Sequence, residues 1–346
     1  MLWTDIVTPA ELTGYARAAV EDYEAKKGSL ARWLPNRFVA DIVARFIIGQ
    51  SGLLPAAEYR GYDAETPTGG LPGGERVTVE LPPLGQKIRV SEYDQLRRRG
   101  KDAPEAVKNI IERAAAVNAR AISDRLEVAR GQALETGALS IDENGFRQTG
   151  SWSRNPSHTV TVGTLWSDAA NAKPLDDMLA WKELAIADTG EAPGAFLMST
   201  KASIALTRTA EMRSLSATLA GTPSRVTLDS VQAVLAAHSL PPIHLYDRQI
   251  KVGAVQKKVL TDSKVFALPA PVDPDDWEGT DLGATFLGLT LESEEADYGL
   301  SAEEQPGIVV GAWKTRDPIA VWTHSAAIGL PVLANSDLSI VASVLA

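Results

Sequence analysis

The stretch from Ile110 to Gly137, IIERAAAVNARAISDRLEVARGQALETG, restricts the fold more than any other part of the chain. Extended back to Val107, it places Val107, Ile110, Ile111, Ala114, Asn118, Ala121, Ile122, Arg125, Leu126, Ala129 and Ala133 at the three-and-four spacing of one helical face. Pro104 suits a first turn and Gly137 a terminus, so the spacing predicts a helix of about thirty residues, roughly 45 Å long. Ordinary globular helices are much shorter. A rod of this length, striped with alanine, needs a domain to cross and small-residue faces for close neighbours.

The rest of the chain can supply such neighbours. It has 346 residues, long enough for two domains, and 45% are hydrophobic, so real cores are expected. No apolar run approaches a membrane span, and the N-terminal stretch MLWTDIVTPAELTGYARAAVEDYEAKKG lacks the basic-then-apolar order of a signal peptide. No membrane partner is expected. The absence of cysteine excludes disulfides, thiolate metal sites and cysteine nucleophiles. The net charge of −10 argues against a protein whose main task is to grip phosphate backbones.

Composition and periodicity divide the chain into five parts. Residues 1–55 hold one helical pattern, Pro9 to Lys26, and read as an arm that lies on something else. In residues 56–101, two alternating runs, Val77 to Leu81 and Ile88 to Tyr93, flank PPLGQ and predict a β-hairpin. Such a ribbon is marginal alone; it packs on its own domain or pairs with another chain. Residues 102–173 contain the long helix and a β segment turned at Asn144-Gly145. Residues 174–305 mix helices with short strands and end in the acidic, loop-rich stretch PVDPDDWEGTDLGATFLGLTLESEEADYGLSAEEQPG. Residues 306–346 are apolar nearly to the end, which predicts terminal strands tied into a sheet. The class is α+β.

Chemical constellations are hard to find. His158, His238, His244 and His324 fit neither a metalloprotease pair nor a finger spacing, and the serines near His158 have no acid partner at motif spacing. TGGLPGGER lacks the Lys-Ser/Thr of a phosphate loop. Glu294, Glu295 and Asp297 lack calcium-loop spacing. Adjacent acids at Asp176-Asp177 and Asp275-Asp276 could serve a hydrolase, but neighbouring side chains diverge, and charge at a helix N-terminus is the simpler role for the first pair. Arg97, Arg98 and Arg99, with Lys101, form the densest basic cluster; it reads as a solvated turn or an ion pair at a subunit interface, or else as a nucleic-acid contact.

The element order, a helical arm, a Gly/Pro-flanked ribbon, a long helix, a β segment, an α+β lobe and an apolar β terminus, resembles the Hong Kong 97-type phage capsid fold. Three phrases are similar to the lambda-type major capsid protein E family: VTVELPPLGQKIRVSEYDQLRRRG to its E-loop, ARGQALETGAL to the end of its spine helix, and DPIAVWTHSAAIGLPVLANSDLSIVASVLA to its C-terminus. The resemblance implies an N-arm, E-loop, spine helix, peripheral domain and axial domain, with no catalytic residue and no cofactor. It implies hexamers and pentamers of one chain that close into an icosahedral head around double-stranded DNA, in a virion assembled in the host cytoplasm. A portal, a decoration protein and, because only about fifty residues precede the ribbon, a separate scaffolding protein would be partners. An encapsulin-like compartment shell is the alternative. Inter-subunit contacts are then expected at Val77, Val79, Leu81, Lys87, Ile88 and Val90 on the ribbon, at Arg97, Arg98 and Arg99, and at Arg120 and Arg125 on the helix. A bond between Lys87 and a neighbour's Asn335 is the one covalent link the resemblance suggests.

Overall fold

The long helix forms over Ala103–Thr136, 34 residues. Its stripe is its buried side: Ile111, Ala114, Asn118, Ile122, Leu126 and Ala133 are all buried. Gly137 ends it at φ +65°, donating its N–H to the Ala133 carbonyl at 2.9 Å, a left-handed position where a side chain would be strained. The computed structural model describes residues 6–48, 75–97, 103–217, 221, 223 and 225–346.

Along the chain come α1 (Pro9–Lys27), β1 (Asn36–Phe38), β2 (Val43–Ile48), β3 (Glu75–Glu80), β4 (Pro83–Val90), α2 (Glu92–Arg97) and the spine helix α3. Then follow β5 (Ala138–Glu143), β6 (Phe146–Ser151), β7 (Thr159–Thr161), α4 (Pro174–Thr189), β8 (Ala195–Met198), α5 (Thr200–Arg208), α6 (Ala210–Leu215) and α7 (Leu228–Ala237). The last elements are β9 (Ile243–Leu245), β10 (Gln249–Val252), β11 (Val255–Lys258), β12 (Lys264–Leu268), β13 (Gly283–Gly288), α8 (Leu291–Glu294), β14 (Val309–Arg316), β15 (Ile319–Leu333) and β16 (Ile340–Ser343). No helix among the described residues is long and apolar enough to cross a membrane.

Two units divide the chain. The first comprises Met1–Arg45, Thr78–Gly131 and Ala284–Val332. Its sheet runs β1-β13-β15-β14, and β4 pairs with the other edge of β15. Helices α1 and α3 share a core with one face of this sheet, in which Leu12 and Ala16 meet Ile111, Ala115, Ala119, Val310 and Val321. The alanines let helix and sheet approach closely, and fully buried Asn118 donates its amide to the Thr323 carbonyl at 2.9 Å. Helix α1 starts with a capping box: the Thr8 hydroxyl accepts from the Glu11 N–H, and the Glu11 carboxylate accepts from the Thr8 N–H. Arg17 fastens it further, donating to the carbonyls of Glu304, Pro306 and Ile308 at 2.7–2.9 Å. The arm expected to lie elsewhere thus packs, through α1, on its own chain.

The second unit comprises Phe46–Val77, Gln132–Gly283 and Leu333–Ala346. Its sheet runs β7-β16-β12-β8-β9. Helices α4 to α7 cover a core that includes Trp166, Met178, Trp181, Phe196, Leu206, Val231 and Leu235. Trp166 stacks on Trp181 at 6.1 Å and Trp181 meets Phe196 edge-on at 6.2 Å. Asn144 and Gly145, both at positive φ, turn the β5–β6 hairpin as the Asn-Gly pair predicts.

Several expected boundaries change. The turn expected at PPLGQ is instead strand β4, paired antiparallel with β15 from Pro83↔Ile328 to Val90↔Val321. The hairpin partner of β3 is β2, which the sequence separates by the 49–74 stretch. Pro82 and Pro83 explain the switch: lacking N–H donors, they end one ladder and begin the next, after Leu81 N–H has bonded the Ile42 carbonyl at 2.8 Å. The division at residues 305 and 306 also shifts. Residues 284–305 fall in the first unit because fully buried β13 joins its sheet. Residues 333–346 fall in the second because β16 leaves that sheet and inserts between β7 and β12. The helical passage after β8 is two helices, α5 and α6, split where Thr209 caps α6.

Candidate assembly surfaces

Strands β2 and β3 pair only with each other among the described residues, and Ala44 and Phe46 of β2 are buried. β3 alternates exposed and half-buried residues, with Val77 and Val79 on the half-buried side, whereas Leu81 at its base is buried. A two-stranded ribbon is marginal without a further surface for its apolar side chains and unpaired edges. Val77 and Val79 thus retain exposed apolar surface. Leu81 does not, because its own chain already encloses it.

The register of β4 against β15 separates its side chains into two sets. Val90 is 5% exposed and belongs to the core with Ile111 and Val321, so it has nothing left to offer a neighbour. Ile88 is half-buried on that same side of the strand. Lys87 and Arg89 point to the opposite side, where the Lys87 ammonium lies 5.0 Å and the Arg89 guanidinium 6.0 Å from the Trp322 ring centre. Trp322 stacks on Trp313 at 6.4 Å, and His324 meets Trp313 edge-on at 5.9 Å. This cross-strand cluster of cations and aromatics escaped the sequence reading, since only the strand register brings Lys87 and Arg89 to Trp322. Lys87 therefore sits on a sheet strand rather than on the ribbon, and Asn335 donates its amide to the Asp281 carbonyl at 2.8 Å.

On the helices, Arg97 is exposed at the end of α2. Arg98, Arg99 and Lys101 lie outside the described residues. Arg120 is half-buried, its guanidinium 5.6 Å from the Tyr23 ring of α1, and Arg125 is half-buried one turn further on. Missed by the periodicity was Arg130, 2% exposed. It donates to Thr285 Oγ1 at 2.8 Å, Asn36 Oδ1 at 2.7 Å and Glu127 Oε2 at 3.1 Å. Glu127, fully buried, also accepts from the Leu30 N–H at 2.8 Å and the Ser29 hydroxyl at 3.3 Å. This network ties the segment after α1 to the spine helix and to β13. Its one sequence signal is the i,i+3 Glu127–Arg130 pair set beside the apolar stripe.

The acidic groups considered for hydrolysis are engaged locally. Asp177 accepts from the Trp166 indole at 2.9 Å, and burial lifts its pKa above the ordinary carboxylate range. Asp176 pairs with Lys173 at 3.5 Å, and Asp276 accepts from the Gly279 N–H at 3.1 Å. His158 does have an acid partner: its Nε2 lies 2.8 Å from Asp188 Oδ2, and the imidazole is fully buried. That partner comes from the end of α4, too distant in sequence for a motif to reveal. Nearby, burial pushes the Arg154 guanidinium down to about 10, opposed by Asp337. Arg154 donates to the Leu134 carbonyl at 2.7 Å, one of the last carbonyls of the spine helix.

The chain superposes on a prophage protein of E. coli CFT073 assigned as its capsid protein, with TM-score 0.66 and 15% identity over 98% of this chain and 99% of that one. It also superposes on a phage-related protein from Bordetella bronchiseptica RB50, with TM-score 0.56 and 16% identity over 96% and 95%. These likenesses carry the fold, which is the Hong Kong 97-type fold expected from the element order. No curated protein sequence matches the chain significantly. The profile of the family described as phage major capsid protein E matches residues 46–344, nearly the whole chain. With its long spine, its two mixed units and its exposed ribbon, the chain belongs to the phage major capsid protein E family.

Proposed function

We propose that copies of this chain associate as hexamers and pentamers and close into the icosahedral head of a tailed phage, around double-stranded DNA. Family membership makes the chain a capsid subunit that forms homo-oligomers in the virion. The observation that carries the finer reading is the β2–β3 ribbon: its half-buried valines, and edges that no further strand among the described residues covers, gain a partner when they lie on a neighbouring copy. The charge of −10 supports a wall that encloses DNA without holding it, since few phosphates would be neutralised at its surface.

A separate scaffolding protein, a portal and a decoration protein complete the proposal, with assembly in the host cytoplasm. No residue is assigned a catalytic role; the carboxylates that come together serve as helix caps and hydrogen-bond partners. An encapsulin-like compartment has less support, because the family match is to a phage capsid protein. A gene neighbourhood with terminase and portal fits the head reading, whereas a neighbouring enzyme with a docking tail fits the compartment. Co-expression with the scaffold followed by negative-stain electron microscopy tests the proposal. Closed hollow shells are expected, and discrete monomers under all such conditions would overturn it.

A further inference from the structure

Two features of the first unit have complementary shapes and charges. One is a groove of about 310 Å³ between β4, α2 and the N-terminal half of the spine helix. Ile88, Ile110, Ala114 and Val117 line it with apolar surface, and the exposed Arg113 adds a guanidinium group. Asp94, also in the lining, is turned to its own helix start, accepting from the Ser91 hydroxyl at 2.6 Å. Val117 is 45% exposed although it lies on an otherwise well-packed helix.

The other feature is the turn headed by Leu291, which is 80% exposed. This turn is firmly based. Ser293 is buried, donating its hydroxyl to the Thr290 carbonyl at 2.6 Å and its N–H to Thr290 Oγ1 at 3.3 Å. Tyr298, also buried, packs against Gly311 so closely that no Cβ would fit there. Leu291 is therefore a fixed knob, followed in the chain by the half-buried Glu292 and the exposed Glu294, Glu295 and Asp297.

We infer that the groove of one copy receives the Leu291 knob of a second copy, the leucine on the apolar floor and the carboxylates toward Arg113. The inference rests on the shell-forming reading above and names one of its contacts. In a chain of net charge −10, most of one copy's surface repels most of another's, so a specific contact must match the acid-rich turn to a local cationic concavity. Knob and groove are different surfaces, which makes the contact heterologous, the kind that propagates around a ring.

The cysteine-free sequence allows a direct test. Shells are assembled with scaffold from a mixture of Val117→Cys and Leu291→Cys chains, oxidised, and run on denaturing gels. Disulfide-linked dimers from the mixture, and none from either variant alone, are expected. Wild-type shells together with monomer-only gels from mixed shells would overturn the inference and leave the shell reading standing. A dimer from Val117→Cys alone would overturn it as well, while a wild type that never forms shells would remove both. In parallel, Arg113→Glu should cut shell yield roughly tenfold, as like charges now meet. Combining it with Glu294→Lys and Glu295→Lys should restore assembly. Normal yield from Arg113→Glu, or a folded triple variant that stays unassembled, counts against the contact.

Discussion

Replacing Arg130 with methionine keeps the bulk of the side chain and removes its charge from a site that is 2% exposed. Two charge-assisted hydrogen bonds disappear, to Thr285 and Asn36. More costly is the Glu127 carboxylate, left fully buried with the Leu30 N–H and Ser29 hydroxyl but no cation at 3.1 Å. Breaking one side of such a buried pair costs about 3–5 kcal/mol. Because the network holds the segment after α1, the loss should be local first. Hydrogen exchange of the Leu30 amide in the unassembled subunit should accelerate by roughly a hundred- to several-thousandfold, at about 1.4 kcal/mol per factor of ten. Replacing both members, Arg130→Met with Glu127→Leu, removes the stranded charge and should recover most of that protection. The reasoning is refuted if Arg130→Met leaves exchange within a few-fold of the wild type, or if the double variant is the less protected of the two.

Other consequences can be checked separately. Val79→Asp places a charge on the ribbon's half-buried side, so shell yield should collapse while the melting temperature of the unassembled subunit stays within about 2 °C of the wild type; normal shells would deny the ribbon its assembly role. Arg120→Glu loses a cation over Tyr23, costing about 0.5–1 kcal/mol in subunit stability, and should impair assembly by more than that loss explains; comparing urea midpoints with shell yield measures both. Burial, with Glu292 and Glu295 nearby, lifts the Tyr298 hydroxyl to about 12 from its ordinary 10. A raised folded-state value means stability that is complete below pH 10 and is lost as the pH climbs toward 12, by up to about 2 kcal/mol. Tyr298→Phe should flatten that alkaline decline in chemical-denaturation profiles, and an unchanged slope would refute it.

The legible parts of the fold were those with local causes. The spine helix follows from its 3.6-residue stripe, and the β5–β6 turn from Asn144-Gly145, because both signals lie within one element. The partner of β3 was not legible, since alternation predicts a strand but not the ladder it joins, and β2 lies on the far side of residues 49–74. β13 was hidden for another reason: GATFLG is fully buried on both faces, without alternation, and sits in an acidic stretch that reads as loop. The contacts of Arg130 and Trp322 depend on residues that only the assembled sheet brings near. Val90 and Leu81 show the reverse effect, because apolar residues suited to an interface were already used by the subunit's own core. Alternation alone cannot separate an intramolecular from an intermolecular partner.

The most direct measurement is an icosahedral cryo-electron microscopy reconstruction of shells assembled from this chain and its scaffold. The account predicts hexamers and pentamers in which the β2–β3 ribbon lies on a neighbouring copy, with Val77 and Val79 covered there. Closed shells whose ribbons rest only on their own subunits, or preparations that yield no closed shell, would contradict it.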